Sequence, residues 1–363
     1  MKGLGVFAFL ATAASSWACY NDVDTNLTEL RDNLDVTKAI IGRFTLYPAA
    51  YYRRRIEIQK AILKKDPTNL EAYDNISVAY DRICDGESAL KWIHEKRKHL
   101  ANAPTQQLYS TEANEGTFLI VRWIRGHKPG DVTDAVEAEK HIEKALKINP
   151  NAHFGREFAQ LYSIRAMIEC GKQENWKAAF CDTLIKIADR DHIDRRKLRF
   201  GIAGMMVLGA AWNMPPMIQA MANLVPEDTK VVNLCTFRLG NIIPEWDKNE
   251  YPLVKVKRAN GQEIGVLFKL IANGDEFQEH REEWILSQIK KGKHPDTNPD
   301  FWVGFTDIAE VPTSEFVVIR HKEWWQKDEF RYELGHCLLT GIIIGLPISY
   351  YIYRRRRFIQ QGF

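Results

Sequence analysis

Ten histidines are scattered along the chain. One of them, His280, stands two and three residues before Glu282 and Glu283, which has the composition of a metal site. A helix brings side chains together at i, i+4, as in zinc sites built on two histidines at that spacing. Steps of two and three converge poorly, so this trio reads as a solvated charged face and no metal is expected. The six cysteines, Cys19, Cys84, Cys170, Cys181, Cys235 and Cys337, show no C-x-x-C spacing. The four inner ones are either buried thiols or partners in one or two bridges. No G-x-S-x-G, H-E-x-x-H, P-loop or strand-following G-x-G-x-x-G occurs. No catalytic residue and no cofactor are therefore assigned. Arg53, Arg54 and Arg55 read as three charges on one exposed helix face, and Trp324-Trp325 as packing near an interface.

The elements that hold these residues are bounded by composition. The 363 residues are 45% hydrophobic and 27% charged, the balance of a folded protein with a sizeable core. A net charge of +3 is too small to argue for nucleic acid. Both ends differ from the body. Residues 1–18 carry Lys2, an uncharged, mostly apolar stretch from Leu4 to Ala14, and the small residues Ser16 and Ala18. That is the pattern of a cleaved secretory signal. A cut after Ala18 would leave Cys19 first, which invites lipidation, although Ser16 and Trp17 depart from the usual lipobox. Residues 334–353 hold no Asp, Glu, Lys or Arg, enough helix to cross a bilayer. Tyr350, Tyr351 and Tyr353 suit an aromatic belt, and Arg354 to Arg357 follow directly. The expectation is a single-pass anchor with the basic tail 354–363 in the cytoplasm and the body exported, periplasmic or extracellular.

Through the body the apolar residues recur at helical spacing. Ile56, Ile58, Ala61 and Ile62 form one stripe, stopped by Asp66-Pro67. Tyr73, Ile76, Ala79 and Tyr80 form the next, and Ala89, Trp92 and Ile93 follow the break at Asp85-Gly86. Ile142, Ala145 and Ile148 run into Asn149-Pro150, and Trp176 to Ala188 reads as a returning helix. The uncharged run 200–225 contains Asn213 and Pro215-Pro216, so it predicts two short buried helices rather than a membrane segment. Residues 262–272 follow a helical step through Ile264, Leu267 and Ile271, with a hairpin around Asn260-Gly261 as the competing reading.

This series of helix pairs resembles the tetratricopeptide repeat, whose pattern is W-x2-L-G-x2-Y, then A-x3-F, then P over about 34 residues. Tyr73, Ile76 and Tyr80 stand at the first-helix positions, with Ser77 in place of the usual Gly, and Ala89 and Ile93 at the second-helix ones. Ala138, Ile142, Ala145 and Pro150 match the second half of another repeat. Residues 261–287 fit loosely, and Trp302 with Phe305 would open a last repeat. The resemblance implies an all-α superhelical array of helix hairpins over 19–225, with 226–333 as degenerate repeats or an irregular region. It also implies a concave face lined by first helices. That register would place Glu71, Asp74, Val78 and Asp81 there, and Asp300, Asp307 and Glu310 at the far end. Such a carboxylate-lined groove would suit a basic or amine-bearing partner polypeptide. The reading is a membrane-anchored, non-enzymatic interaction scaffold. A second reading, an enzyme or enzyme subunit with a site in 226–330, stays open at this level.

Overall fold

The computed structural model describes residues 24, 34–150, 155–209, 211–242 and 261–311. Among these, all regular structure is helical: α1 Val36–Ile41, α2 Ala49–Lys65, α3 Leu70–Arg82, α4 Gly86–Arg97, α5 Thr105–Gly126, α6 Thr133–Ile148, α7 Arg156–Cys170, α8 Trp176–Arg190, α9 Arg195–Leu208, α10 Pro215–Asn223, α11 Thr229–Ile242 and α12 Gly261–Lys290. The signal and anchor stretches, 1–18 and 334–353, lie outside the described residues. Among the described residues no helix is long and apolar enough to cross a membrane. Residues 1–259 and 267–309 group into one compact unit, described below; 260–266 and 310–363 form a second group, of which only the start of α12 and two residues after Ala309 are described.

The helices begin and end where local chemistry requires it. Pro67 cannot continue α2, and Asn69 then caps α3, its side chain accepting from the Ala72 amide at 2.9 Å. Asp85 does the same for α4 through the Ser88 amide at 3.0 Å, and Asp194 for α9 through the Arg196 amide at 2.8 Å. The 200–225 run is broken as its prolines demand: α9 ends at Leu208, a 3-10 turn covers Ala211–Asn213, and Pro215-Pro216 opens α10. Residues 262–272 lie in α12, so the hairpin reading is not the one realised. Cys84, Cys170, Cys181 and Cys235 are all free thiols, and burial pushes the Cys170 and Cys181 thiols up to about 12.

Burial divides the hairpins into two layers. In α3, α5 and α7 nearly every side of the helix is covered. In α6 the buried residues are Ala135, Ala138, Ile142 and Ala145 alone, and in α8 they follow Trp176, Phe180, Leu184, Ile187. These are single stripes at 3.6-residue spacing, so α6 and α8 are outer helices packed on an inner layer. Small residues set the distance between layers. A Cβ on Gly116 of α5 would meet the Ile142 side chain of α6 at 2.8 Å, so any larger residue there would force Ile142 to shift.

α12 ties the two ends of the series together. Phe268 meets Phe237 of α11 edge-on, with centroids 4.4 Å apart, and Asp275 pairs with Arg238 of α11 at 3.3 Å. Further along, Gln278 donates to the carbonyls of Gly42 and Phe44. Gly274 lies against the Ile41 carbonyl so closely that any Cβ would collide with it. The last turns of α12 bring Ile285 and the following Phe301 into a core with Tyr51, Tyr52, Ile56 and Ala79. Arg55 is held inside this region. Arg53 and Arg54 are exposed as expected, but Arg55 is fully buried between Asp24 and Asp296. The local sequence could not show this, because both carboxylates come from distant segments.

Candidate functional site

The carboxylates expected on an open groove do not lie together. Asp74, Val78 and Asp81 are buried, because α3 is enclosed by α2, α4 and α5. The expectation that these three face a partner is corrected by that packing. Asp74 accepts from Lys96 Nζ of α4 at 2.6 Å, Ser110 Oγ at 3.0 Å and Asn114 Nδ2 at 2.9 Å, the last two from α5. Burial works against both charges, raising Asp74 and lowering Lys96, and in each case the partner opposes it. The arrangement is an internal knot between three helices. Asp81 accepts from Arg125 Nη1 at 3.2 Å, which secures the end of α5 to the end of α3. Glu71 is exposed at the start of α3.

Asp300 and Asp307 are exposed, on either side of an aromatic turn. Asp300 pairs with Lys293 at 2.6 Å, and Asp307 accepts from Arg281 Nε at 2.7 Å. Glu310 is exposed and falls in the second group of residues. The turn folds against α12 through a ladder of rings. The Trp284 indole donates to the Phe301 carbonyl at 3.0 Å. Phe305 lies 5.1 Å from His280, 5.4 Å from Trp284 and 5.2 Å from Trp302, centroid to centroid. His280 accordingly serves this turn, with Nε2 2.9 Å from the Thr306 carbonyl, and among the described residues no cluster suits a metal ion.

Arg281 orders the ladder. Its guanidinium sits 4.6 Å from the Phe277 ring centroid, 5.4 Å from Trp302 and 5.5 Å from Phe305. Cation–π contact with these rings together with the Asp307 pair holds that side chain in place. Val303, next after Trp302 in the chain, is 74% exposed, more than any other large apolar residue described. A preorganised patch of Trp, Phe and Arg around an exposed aliphatic side chain has the composition of protein-interface anchors. The sequence places Trp302 and Phe305 at the opening of a last repeat, but residues 299–304 form a turn and not a helix. Arg281 and Val303 carry no such signal, since nothing local marks a guanidinium that lies over rings distant in the chain.

The chain matches no family model, no curated protein and no solved structure.

Proposed function

We propose that the chain is a membrane-anchored scaffold of tetratricopeptide-like hairpins that holds a partner polypeptide outside the cytoplasmic membrane. Support for the repeat reading comes from the alternation of enclosed and one-sided helices, each pair leaving a face for the next to cover. Support for the location comes from the signal-like 1–18 and the apolar 334–353 with its four arginines. One observation carries the binding reading: Val303, 74% exposed, follows Trp302 directly in a turn whose Trp302 and Phe305 rings both lie close to the Arg281 guanidinium. An isolated exposed valine needs no explanation. Rigid aromatic and arginine neighbours give this one the low entropy cost of an interface anchor. The exposed Asp300 and Asp307 at its rim would favour a partner segment carrying basic residues.

One experiment tests location and binding together. Val303→Cys in a Cys84→Ser background is treated in cells with a membrane-impermeant bifunctional maleimide. The expected result is labelling without lysis and a cross-linked adduct of one discrete mass, reduced at least several-fold by Trp302→Ala. Labelling only after lysis would defeat the exported topology. An adduct pattern indifferent to Trp302→Ala would defeat the binding surface.

A further inference from the structure

Helix α6 is lightly attached to the layer beneath it. Its buried residues are Ala135, Ala138, Ile142 and Ala145, three of them with nothing beyond Cβ to bury. Polar contacts therefore carry a large share of the hold on it. Among the described residues these form three attachments. Asp134 pairs with Arg122 of α5 at 2.7 Å. Glu139 and Glu143 both pair with Arg165 of α7 at 2.8 Å. The third is His141, on the edge where α6 meets α5 and α4. Guanidinium, ammonium and carboxylate groups ordinarily keep their charges between about pH 5 and 8, whereas imidazole changes its charge inside that interval. Of the three attachments, only the one at His141 contains imidazole.

The His141 ring meets a carboxylate at each nitrogen. Nδ1 lies 2.6 Å from Glu112 Oε2, and Nε2 lies 3.5 Å from Glu115 Oε1. A neutral imidazole has one N–H and one bare nitrogen. Its proton belongs on Nδ1, because a lone pair could not sit that close to a carboxylate oxygen. Arg97 Nη2, 3.4 Å from the same nitrogen, is a donor only and cannot accept that proton. Burial would raise the Glu112 carboxyl, but hydrogen bonds from His141 and Arg97 bring it down to about 2, so it is ionised throughout the imidazole interval. Nε2 then faces Glu115 with a lone pair against an anion. A proton taken from solvent at Nε2 turns that repulsive contact into an attractive one, and each carboxylate then has a ring N–H directed at it.

The other charged groups on this edge do not substitute for His141. Arg97 of α4 lies 2.5 Å from Glu115 Oε2, and Lys144 of α6 stands 4.0 Å from Glu112. Both keep their charge over the interval. Lys140 is turned to Glu137 on its own helix. His94 of α4 reaches Glu115 Oε1 at 2.9 Å, but its side chain is 57% exposed and its contact joins α4 to α5, leaving α6 out.

We propose that His141 is a pH-operated latch between α5 and α6: with both ring nitrogens protonated it bridges Glu112 and Glu115 and holds the C-terminal half of α6 down, and with Nε2 bare it loosens that half. Docking and proton uptake favour each other, because the Nε2–Glu115 contact exists only while α6 is in place. The hold is firmest on the acid side of the imidazole interval, where Glu112 is still ionised, and weakens as pH rises through it. The half that loosens covers Tyr109 and Ala113 of α5, which pack with Ala145 and Ile148. The alkaline form thus gives access to an apolar strip of the inner layer. None of this depends on the Trp302 surface.

The test is hydrogen exchange of the full chain at about pH 6 and about pH 8, read as protection factors so that the intrinsic pH dependence of exchange cancels. Residues 141–148 should lose protection about fivefold between the two, the scale of one partly exposed ion pair, while α7 keeps its own. His141→Gln should hold 141–148 at the lower level at both pH values. His94→Gln should leave the response of the parent chain intact. So should His127→Gln, since His127 bonds the Gly171 carbonyl at the far end of α5. In a chain labelled with ¹⁵N in its imidazoles, the proton that His141 loses should be the one on Nε2. Equal protection of 141–148 at both pH values overturns the proposal, as does a response that survives His141→Gln or vanishes with His94→Gln. Loss of the proton from Nδ1 instead would overturn the bridging geometry, and the latch with it.

Discussion

Asp74 and Lys96 show how a residue that looks like surface becomes interior. Each is almost fully buried, and the ion pair between them is completed by Ser110 and Asn114. Taking both charges out of water costs a large part of their attraction, so the pair adds little net stability while being expensive to break. Lys96→Met would leave the Asp74 carboxylate in the core without its countercharge. The expected loss is about 3–5 kcal/mol in denaturant unfolding of the body. Adding Asp74→Leu to that variant should recover a substantial part, because the orphaned charge is gone. Failure of the second change to recover anything would show that the two side chains are not coupled. The exposed Asp300 pair with Lys293 makes the contrast: Asp300→Asn should leave unfolding unchanged, since a solvated pair is screened and mobile.

At the scale of helices, α4, α5 and α6 are joined by a charged cluster on their shared edge. Arg97 of α4 pairs with Glu112 and Glu115 of α5 at 2.9 and 2.5 Å, and His141 Nδ1 of α6 lies 2.6 Å from Glu112. His94 of α4 and Lys144 of α6 complete it, at 2.9 Å from Glu115 and 4.0 Å from Glu112. Burial alone would raise Glu112. Hydrogen bonds from His141 and Arg97, and then their charges, outweigh it and bring the carboxyl down from 4.5 to about 2. A carboxylate whose folded value is depressed contributes stability above its unfolded value and loses it as pH falls. The Glu112 contribution should therefore be complete above about 4.5 and vanish toward about 2. Urea midpoints of the parent and Glu112→Gln, compared across that range, should converge at the acid end; a constant gap would refute the linkage. This cluster also explains which helices were legible. Residues 70–93 announce themselves through Tyr73, Ile76, Ala89 and Ile93, all buried as their spacing requires, while Tyr80 at the same seam is only half-buried, its hydroxyl accepting from Lys60 Nζ at 2.7 Å. α5 starts at Thr105, in a stretch where apolar periodicity marks no helix. Its first turns carry Ser110, Asn114 and Glu115, polar residues that a periodicity argument assigns to surface. They are buried because their partners sit on α3, α4 and α6, and pairing across helices leaves no local pattern.

For the unit as a whole, the decisive contacts are those that α12 and the turn after it make with the beginning of the chain. Arg55 donates through Nη2 to Asp296 Oδ1 at 2.8 Å and through Nε to Oδ2 at 3.1 Å, and pairs with Asp24 on its other side. Gln59 adds a bond to Asp296 at 2.8 Å, and the Tyr51 hydroxyl donates to Asp24 at 2.7 Å. His294 lies against Tyr51 with centroids 4.3 Å apart and the ring planes tilted by 31°, and its Nδ1 accepts from the Asp296 amide at 3.1 Å. One guanidinium thus joins three segments that are far apart in sequence, over the same core that α2 and α12 share through Tyr52, Ile56 and Ile285. Burial would raise Asp296, but the His294 side chain 3.3 Å from its carboxylate and the charge of Arg55 hold it well below the usual carboxylate range. The sign is that of Glu112: the clamp is intact above the ordinary aspartate range and loosens as pH falls below it. Arg55→Met keeps the length of the side chain and removes the charge, leaving two buried carboxylates facing each other. The expected cost is about 3–5 kcal/mol, felt first where α12 meets α2 rather than in α5 to α8. Hydrogen exchange of the full chain should then show faster exchange in residues 277–290 and 51–63, with α7 protected as before. Uniform loss of protection through α7 would mean that the clamp and the hairpin series unfold as one. Unchanged exchange at 277–290 would mean that the apolar contacts of Ile285 and Phe301 hold α12 in place without Arg55.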